Sequence, residues 1–332
     1  MASVRSLYMD LSKGFGIMMI IIGHHYCEPV LKDWIYSFHV PMFFIVSGYF
    51  YKTDSTLGKN YAQLLRPYFL TVFIVLLYFL FFQIMQVTLK GIPFYYEQFV
   101  DIFLSNATGG FIPKGAESAG IIGLWFLMAL FVVKLFMRVV SAINSVKWQF
   151  IVVVFIFCMG YYMSNIYQMR LPFFLLQSMT CLVFVWVGHL IKKYKTLDVL
   201  SSSGCMLISG VVLLFVAFLF PINTVSVLYP YHFLSAAISC VISISFIVVL
   251  KKISELERVS AGKVVGLVNY YGRYSLVILC FHGIESSMQL SKYLCFIPEC
   301  FMGLFKVVLL GFVPLVVRRI PYLNMCFGCV KK

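Results

Sequence analysis

The apolar segment over residues 65–87 constrains the fold more than any other feature of the chain. A helix needs about 20 predominantly apolar residues to cross a hydrocarbon core roughly 30 Å thick. Comparable segments occur at about 11–27, 34–51, 120–140, 148–163, 171–191, 203–220, 229–250, 268–289 and 298–317. In lipid, each spanning segment must satisfy its own backbone polar groups, which favours helices over open sheets. The pattern therefore predicts an all-α, polytopic membrane bundle of about ten transmembrane helices, with residues 1–332 forming a single domain. Composition points the same way: 62% of residues are hydrophobic and 11% charged, where a soluble domain carries about a quarter charged. Leu11 onward reads as a retained span rather than a cleaved signal, and no appended soluble domain is expected.

The net charge of +14 would suit a nucleic-acid binder if it were gathered on one surface. Instead, Lys and Arg collect in alternate loops, among them Lys52, Lys59 and Arg66, then Lys192, Lys193 and Lys195, then Lys251, Lys252 and Arg258. The opposite loops hold Lys32, Lys90, Lys114, Arg170 and Lys292. By the positive-inside rule both termini are expected in the cytoplasm. The ten cysteines lie mostly within apolar segments, as small hydrophobes do. Cys326 and Cys329 form a Cys-x-x-Cys with no second pair and no nearby His, so no metal site is expected. Cys295 and Cys300 would pair only if their loop faced an oxidising compartment. The long outer segment from Thr88 to Ala119 mixes aromatics with Glu97 and Asp101. Its part from Phe94 to Leu104 reads as an interfacial helix anchored by aromatics, or as a lid over an outward-facing site. Asn106-Ala107-Thr108 within it matches a glycosylation acceptor.

Ionisable residues inside apolar segments are functional candidates by default. Lys13 stands near the start of the first segment, and His24 and His25 follow eleven and twelve residues later. At about 1.5 Å per residue, Lys13 and His24 are roughly 16 Å apart along a helix. His39, His232 and His282 enter other spans at comparable depth, while Lys13, Lys59, Arg66 and Arg273 form a cationic layer nearer the inner face. Imidazole moves protons near neutral pH, and clustered cations suit a polyanion such as a nucleotide phosphate. An acyl group carried by coenzyme A matches both, with phosphates at the cations and a long arm reaching toward the histidines. Glu285 and Lys306 are placed to pair between adjacent spans, a structural reading.

These residues resemble the motifs of acyltransferase family 3, integral membrane enzymes that modify sugars. The resemblance rests on Lys13 with His24, on Phe38-His39-Val40-Pro41-Met42-Phe43-Phe44-Ile45-Val46-Ser47-Gly48-Tyr49, on Leu65-Arg66-Pro67-Tyr68, on Leu124-Trp125-Phe126-Leu127, and on Gly272-Arg273-Tyr274-Ser275-Leu276 with Phe281-His282. Two positions depart from many members: Lys13 stands where Arg is common, which loses the bidentate fork, and Gln63 stands where a second Arg often precedes Arg66. The resemblance implies transfer of an acyl group, commonly acetyl, from a cytoplasmic coenzyme A thioester to a hydroxyl of a cell-envelope glycan or lipid-linked sugar. It implies a multi-pass protein of the inner or plasma membrane, with acetyl-CoA as co-substrate and no permanently bound cofactor. His24 would be base or acyl carrier, assisted by His282 and His39. Lys13, Arg66, Arg273 and Lys59 would hold the donor, and Ser47, Tyr49 and Trp125 are candidates for oxyanion or positioning contacts. The alternatives are a transporter or flippase of a polysaccharide intermediate, or a non-catalytic membrane partner. Pro41, Pro172 and Pro314 interrupt or open spans as in transporters, but no internal repeat is visible.

Overall fold

The computed structural model describes residues 6–24, 28–53, 56–97, 100, 103–104, 123–256, 262–289, 294 and 297–327. His25, Asn106-Ala107-Thr108, Cys295, Cys329 and the outer segment from 105 to 119 lie outside these residues. The regular structure among the described residues is helical, with one isolated bridge between Asn223 and Leu228. In chain order the helices are α1 (Leu7–Gly23), α2 (Pro29–Tyr36), α3 (His39–Tyr49), α4 (Leu57–Asn60), α5 (Arg66–Lys90), α6 (Trp125–Ser141), α7 (Val146–Asn165), α8 (Leu175–Lys193), α9 (Thr196–Leu200), α10 (Ser203–Val211), α11 (Phe233–Leu256), α12 (Lys263–Arg273), α13 (Ser275–Ser287), α14 (Glu299–Arg319) and α15 (Pro321–Phe327). Local signals explain several boundaries. Glu28 caps α2 by accepting from Leu31 N at 3.2 Å, ahead of Pro29 at its first position. Gly91, with φ +64°, closes α5 in the left-handed conformation.

The expectation of about ten spans does not hold. Among the described residues, five helices are long and apolar enough to cross a membrane: Gly58–Lys90, Val146–Asn165, Pro172–Lys193, Phe233–Glu255 and Phe301–Arg319. The number rises to six if the pair Lys263–Arg273 and Ser275–Ser287, bent by 72°, is taken as one span. The other apolar segments are broken or short. Helix α1 has 17 residues, which reach about 25 Å, and it carries Asp10 and Lys13. The segment at 34–51 divides at Ser37 and Phe38, because the ring of Pro41 would strike the carbonyl four residues back in a continuous helix. Helix α6 has 17 residues and contains Lys134 and Arg138. The segment at 203–220 holds the nine-residue α10 and then a π-turn, Val212–Val216. The cytoplasmic placement of both termini rested on an even alternation of ten spans, and it is withdrawn with that count.

The remaining architecture is a multi-pass membrane bundle in which the short α1 is largely buried. Helix α1 is the hub, packing against α3, α11, α12, α13 and α14. The long α5 instead turns Phe73, Leu77, Phe81 and Ile84 outward, as a lipid-facing helix does. Contact between α1 and α12 is backbone to backbone. A Cβ on Gly14 would collide with the carbonyl of Val268, and one on Gly272 with the carbonyl of Asp10. The approach brings Lys13 and Arg273, neighbours of these glycines, to the same end of the bundle.

Gly272→Ala is expected to cost about 1–3 kcal/mol by overpacking and to lower the thermal unfolding temperature in detergent. Gly266→Ala, on the same helix but facing open space, is expected to be neutral or stabilising by up to about 1 kcal/mol. Equal destabilisation by both changes would show that the α1–α12 contact is not close.

Candidate functional site

A cavity of about 930 Å³ opens among α1, α3, α6, α13, α15 and the turn that precedes α5. Its volume is at the upper end of the range for small-molecule sites. The wall supplied by α1 is Lys13, Ile17, Ile20 and His24, positions four, three and four residues apart that fall on one helix face. That periodicity is the physical reason for the Lys13-to-His24 spacing: three turns set a cation and an imidazole along one wall. Helix α3 presents His39, Phe43, Val46 and Ser47 by the same rule. Before α5, the π-turn Tyr61–Leu65 widens the helix, and Gln63 and Arg66 both line the cavity. Such insertions are common at functional sites. Tyr274 leaves helical geometry at φ −107° and ψ 14°, and this bend between α12 and α13 sets Arg273 on the wall.

Charge is unevenly distributed around the cavity. Lys13 Nζ lies 2.6 Å from Asp10 Oδ1, and Asp10 is buried. Among the described residues, no carboxylate lies within ion-pair distance of Arg66 or Arg273. Two cations on the wall thus lack a carboxylate counter-charge, and guanidinium groups of this kind suit phosphate.

The imidazoles differ from one another. His24, at the C-cap of α1, is exposed to the cavity. His39 is buried, and its Nδ1 donates to the carbonyl of Ile35 at 2.7 Å. A neutral ring that donates through Nδ1 keeps an acceptor lone pair on Nε2. His282 does not line the cavity; it is wholly buried behind His24, with ring centroids 5.6 Å apart and an interplanar angle of 31°. Glu285 Oε2 stands 3.6 Å from His282 Nδ1, and Glu285 Oε1 pairs with Lys306 Nζ at 2.5 Å.

The structure thus brings together on one cavity Lys13, Arg66, Arg273, His24, His39, Ser47 and Trp125 from the sequence candidates. Other candidates lie elsewhere. Lys59 is exposed and not on the cavity wall. The hydroxyl of Tyr49 meets that of Tyr8 at 3.2 Å, and Lys192 lies over its ring. His232 packs edge-on against Tyr161 and is not on this wall. Sequence reasoning missed Asp10 as the partner of Lys13, although its three-residue spacing was a signal. It also missed α15, whose Asn324, Met325, Cys326 and Phe327 complete the wall. No pattern in that short helix marked it.

Membrane-length helices, together with a cavity that carries cations and imidazoles on its wall, define a multi-pass membrane protein with a candidate site inside the bundle. A family model described as an acyltransferase domain, that of acyltransferase family 3, matches residues 6–317, and the chain belongs to that family. Comparison with curated proteins and with solved structures returned no match.

Nitrogen-15 NMR of histidine-labelled protein near neutral pH should show His39 as the tautomer protonated at Nδ1, with Nε2 as acceptor. A His39 signal from the opposite tautomer would contradict the bond to Ile35.

Proposed function

We propose that this membrane acyltransferase moves an acyl group, acetyl in the first instance, from coenzyme A to a hydroxyl of a cell-envelope glycan or lipid-linked sugar at the inner or plasma membrane. The observation that carries this reading is the arrangement of one cavity. Lys13, Arg66 and Arg273 line it with His24, three helical turns from Lys13, and with His39. The cations hold the donor's phosphates, entering from the cytoplasmic side, and the pantetheine arm runs along α1 and brings the thioester to His24.

His24 takes the proton of the acceptor hydroxyl as its oxygen attacks the thioester carbonyl. The tetrahedral intermediate then breaks its C–S bond, and the leaving thiolate takes the proton back from the imidazolium. The alternative route, with the acyl group carried briefly on His24, uses the same position. Developing negative charge on the carbonyl oxygen needs donors aimed at it. Ser47 Oγ and Trp125 Nε1 belong to side chains on the cavity wall. Tyr49, engaged with Tyr8, contributes through packing.

Purified protein in lipid, supplied with acetyl-CoA and envelope glycans, is expected to release free coenzyme A. His24→Ala should lower turnover by at least about 100-fold, the scale of general base catalysis, while leaving donor binding in place. A His24→Ala variant with wild-type turnover would sink this reading, and substrate flux without thioester cleavage would favour a transporter.

Arg66→Ala and Arg273→Ala are expected to raise the KM for acetyl-CoA about 10- to 100-fold each, since a charge-assisted hydrogen bond contributes about 1.5–3 kcal/mol. Unchanged donor KM in both variants would remove these residues from the phosphate site.

A further inference from the structure

Glu285 and Lys306 are 6% and 1% exposed, and both are ionisable groups placed inside an apolar bundle. Desolvating such a pair costs as much as or more than its mutual attraction returns, and an apolar pair of similar volume is often equally stable. Stability alone is therefore a weak reason for this pair, and its surroundings suggest another. The carboxylate of Glu285 is divided between two partners: Oε1 lies 2.5 Å from Lys306 Nζ, and Oε2 lies 3.6 Å from His282 Nδ1. His282 and Glu285 are three residues apart on α13, so one helical turn keeps them side by side. Lys306 comes from α14 and fixes the carboxylate from across the interface. The other side of the His282 ring faces His24 at 5.6 Å, and His24 is on the cavity wall. A continuous line thus runs from the cavity through two imidazoles to a carboxylate clamped by an ammonium.

We infer that Glu285 and Lys306 are positioning residues for the reaction at His24, holding His282 so that the positive charge on His24 is supported from behind. This rests on the proposed role of His24. The ammonium holds the carboxylate in one orientation. The carboxylate favours a proton on Nδ1 of His282, which orients that ring against His24. At 3.6 Å the Glu285–His282 contact is longer than a hydrogen bond, and it tightens as positive charge develops on the imidazole pair. The proton balance is that of the transfer itself: His24 receives one from the acceptor hydroxyl and returns it to the thiolate. Glu285 and Lys306 keep their charges throughout.

Two double variants separate this role from a structural one. Glu285→Gln with Lys306→Met removes both charges together and leaves neither group buried without its partner. Glu285→Lys with Lys306→Glu keeps an ion pair but sets an ammonium against His282. Both are measured in lipid for acetyl-CoA turnover, for donor KM and for thermal unfolding, beside wild type and His24→Ala. The expected result is a kcat at least tenfold lower in each double variant, with donor KM within about twofold of wild type and the neutral pair as stable as wild type. Wild-type kcat in either double variant would overturn the inference, because a purely structural pair tolerates either exchange. A neutral pair that does not fold would also overturn it, and if only the swapped pair fails to fold, the neutral pair decides. His24→Ala keeps the two readings apart. Full activity there removes the role of His24, whereas an inactive His24→Ala beside a fully active double variant removes only the role of Glu285 and Lys306.

Discussion

The contact of α1 with α12 is the constraint on which the site depends. Gly14 and Gly272 let two backbones meet, and a side chain on either would push the helices apart. Each glycine stands next to a cation, Lys13 on one helix and Arg273 on the other. Closing the contact therefore assembles two of the three basic groups on the cavity wall. Once Lys13 is fixed, three turns of α1 determine where His24 lies. The bend at Tyr274 turns α13 away from the direction of α12 by 72°, and this carries His282 to a position behind His24 rather than beside Arg273.

The helical class of the fold was legible in the sequence, but the number of spans was not. Hydropathy counts apolar residues, and it does not register where a helix must break. The segment at 34–51 is apolar enough to span, yet the chain breaks at Ser37 and Phe38, where the ring of Pro41 removes one helical hydrogen bond and crowds the carbonyl four residues back. The segment at 268–289 reads as one apolar stretch, yet it contains a bend next to Gly272. Broken helices such as α3 and the bent pair α12–α13 line the cavity, while the long α5 turns an apolar face outward. That division follows from the solvent: backbone groups freed at a break are tolerated where protein or a wet cavity can satisfy them, and not against lipid.

The site itself was partly legible, and the boundary has a physical cause. Lys13 and His24 share a helix face, so their spacing alone places them on one wall. His39 and Ser47 share a face of α3 for the same reason. Residues joined through tertiary packing carry no such signal. Glu285 and Lys306 could be paired from their positions in neighbouring spans, and the three-residue spacing of His282 and Glu285 was a helical signal left unused; only the approach of the His282 ring to His24 depends on packing between helices. The contribution of α15 was hidden for a similar reason, since a seven-residue helix has no periodic pattern long enough to reveal what it covers.

Charge on the cavity wall and behind it is arranged in two opposite ways, and the difference bears on the proposed chemistry. At the basic end, Arg66 and Arg273 stand on the wall without carboxylate partners among the described residues. In the proposed reaction the donor's phosphates would replace water around these two guanidinium groups, with no carboxylate among the described residues to displace. Behind the imidazoles, Lys306 and Glu285 neutralise each other inside the bundle. A neutral pair next to His282 adds no net charge that would repel a proton arriving on His24, and its carboxylate lies on the imidazole side. A carboxylate partner at the arginines would compete with an incoming phosphate, and an unpaired ammonium behind His282 would oppose charge on His24. In the proposed acyl transfer the two arrangements are therefore complementary: one end of the cavity would meet charge that arrives with the donor, the other charge that appears only during reaction.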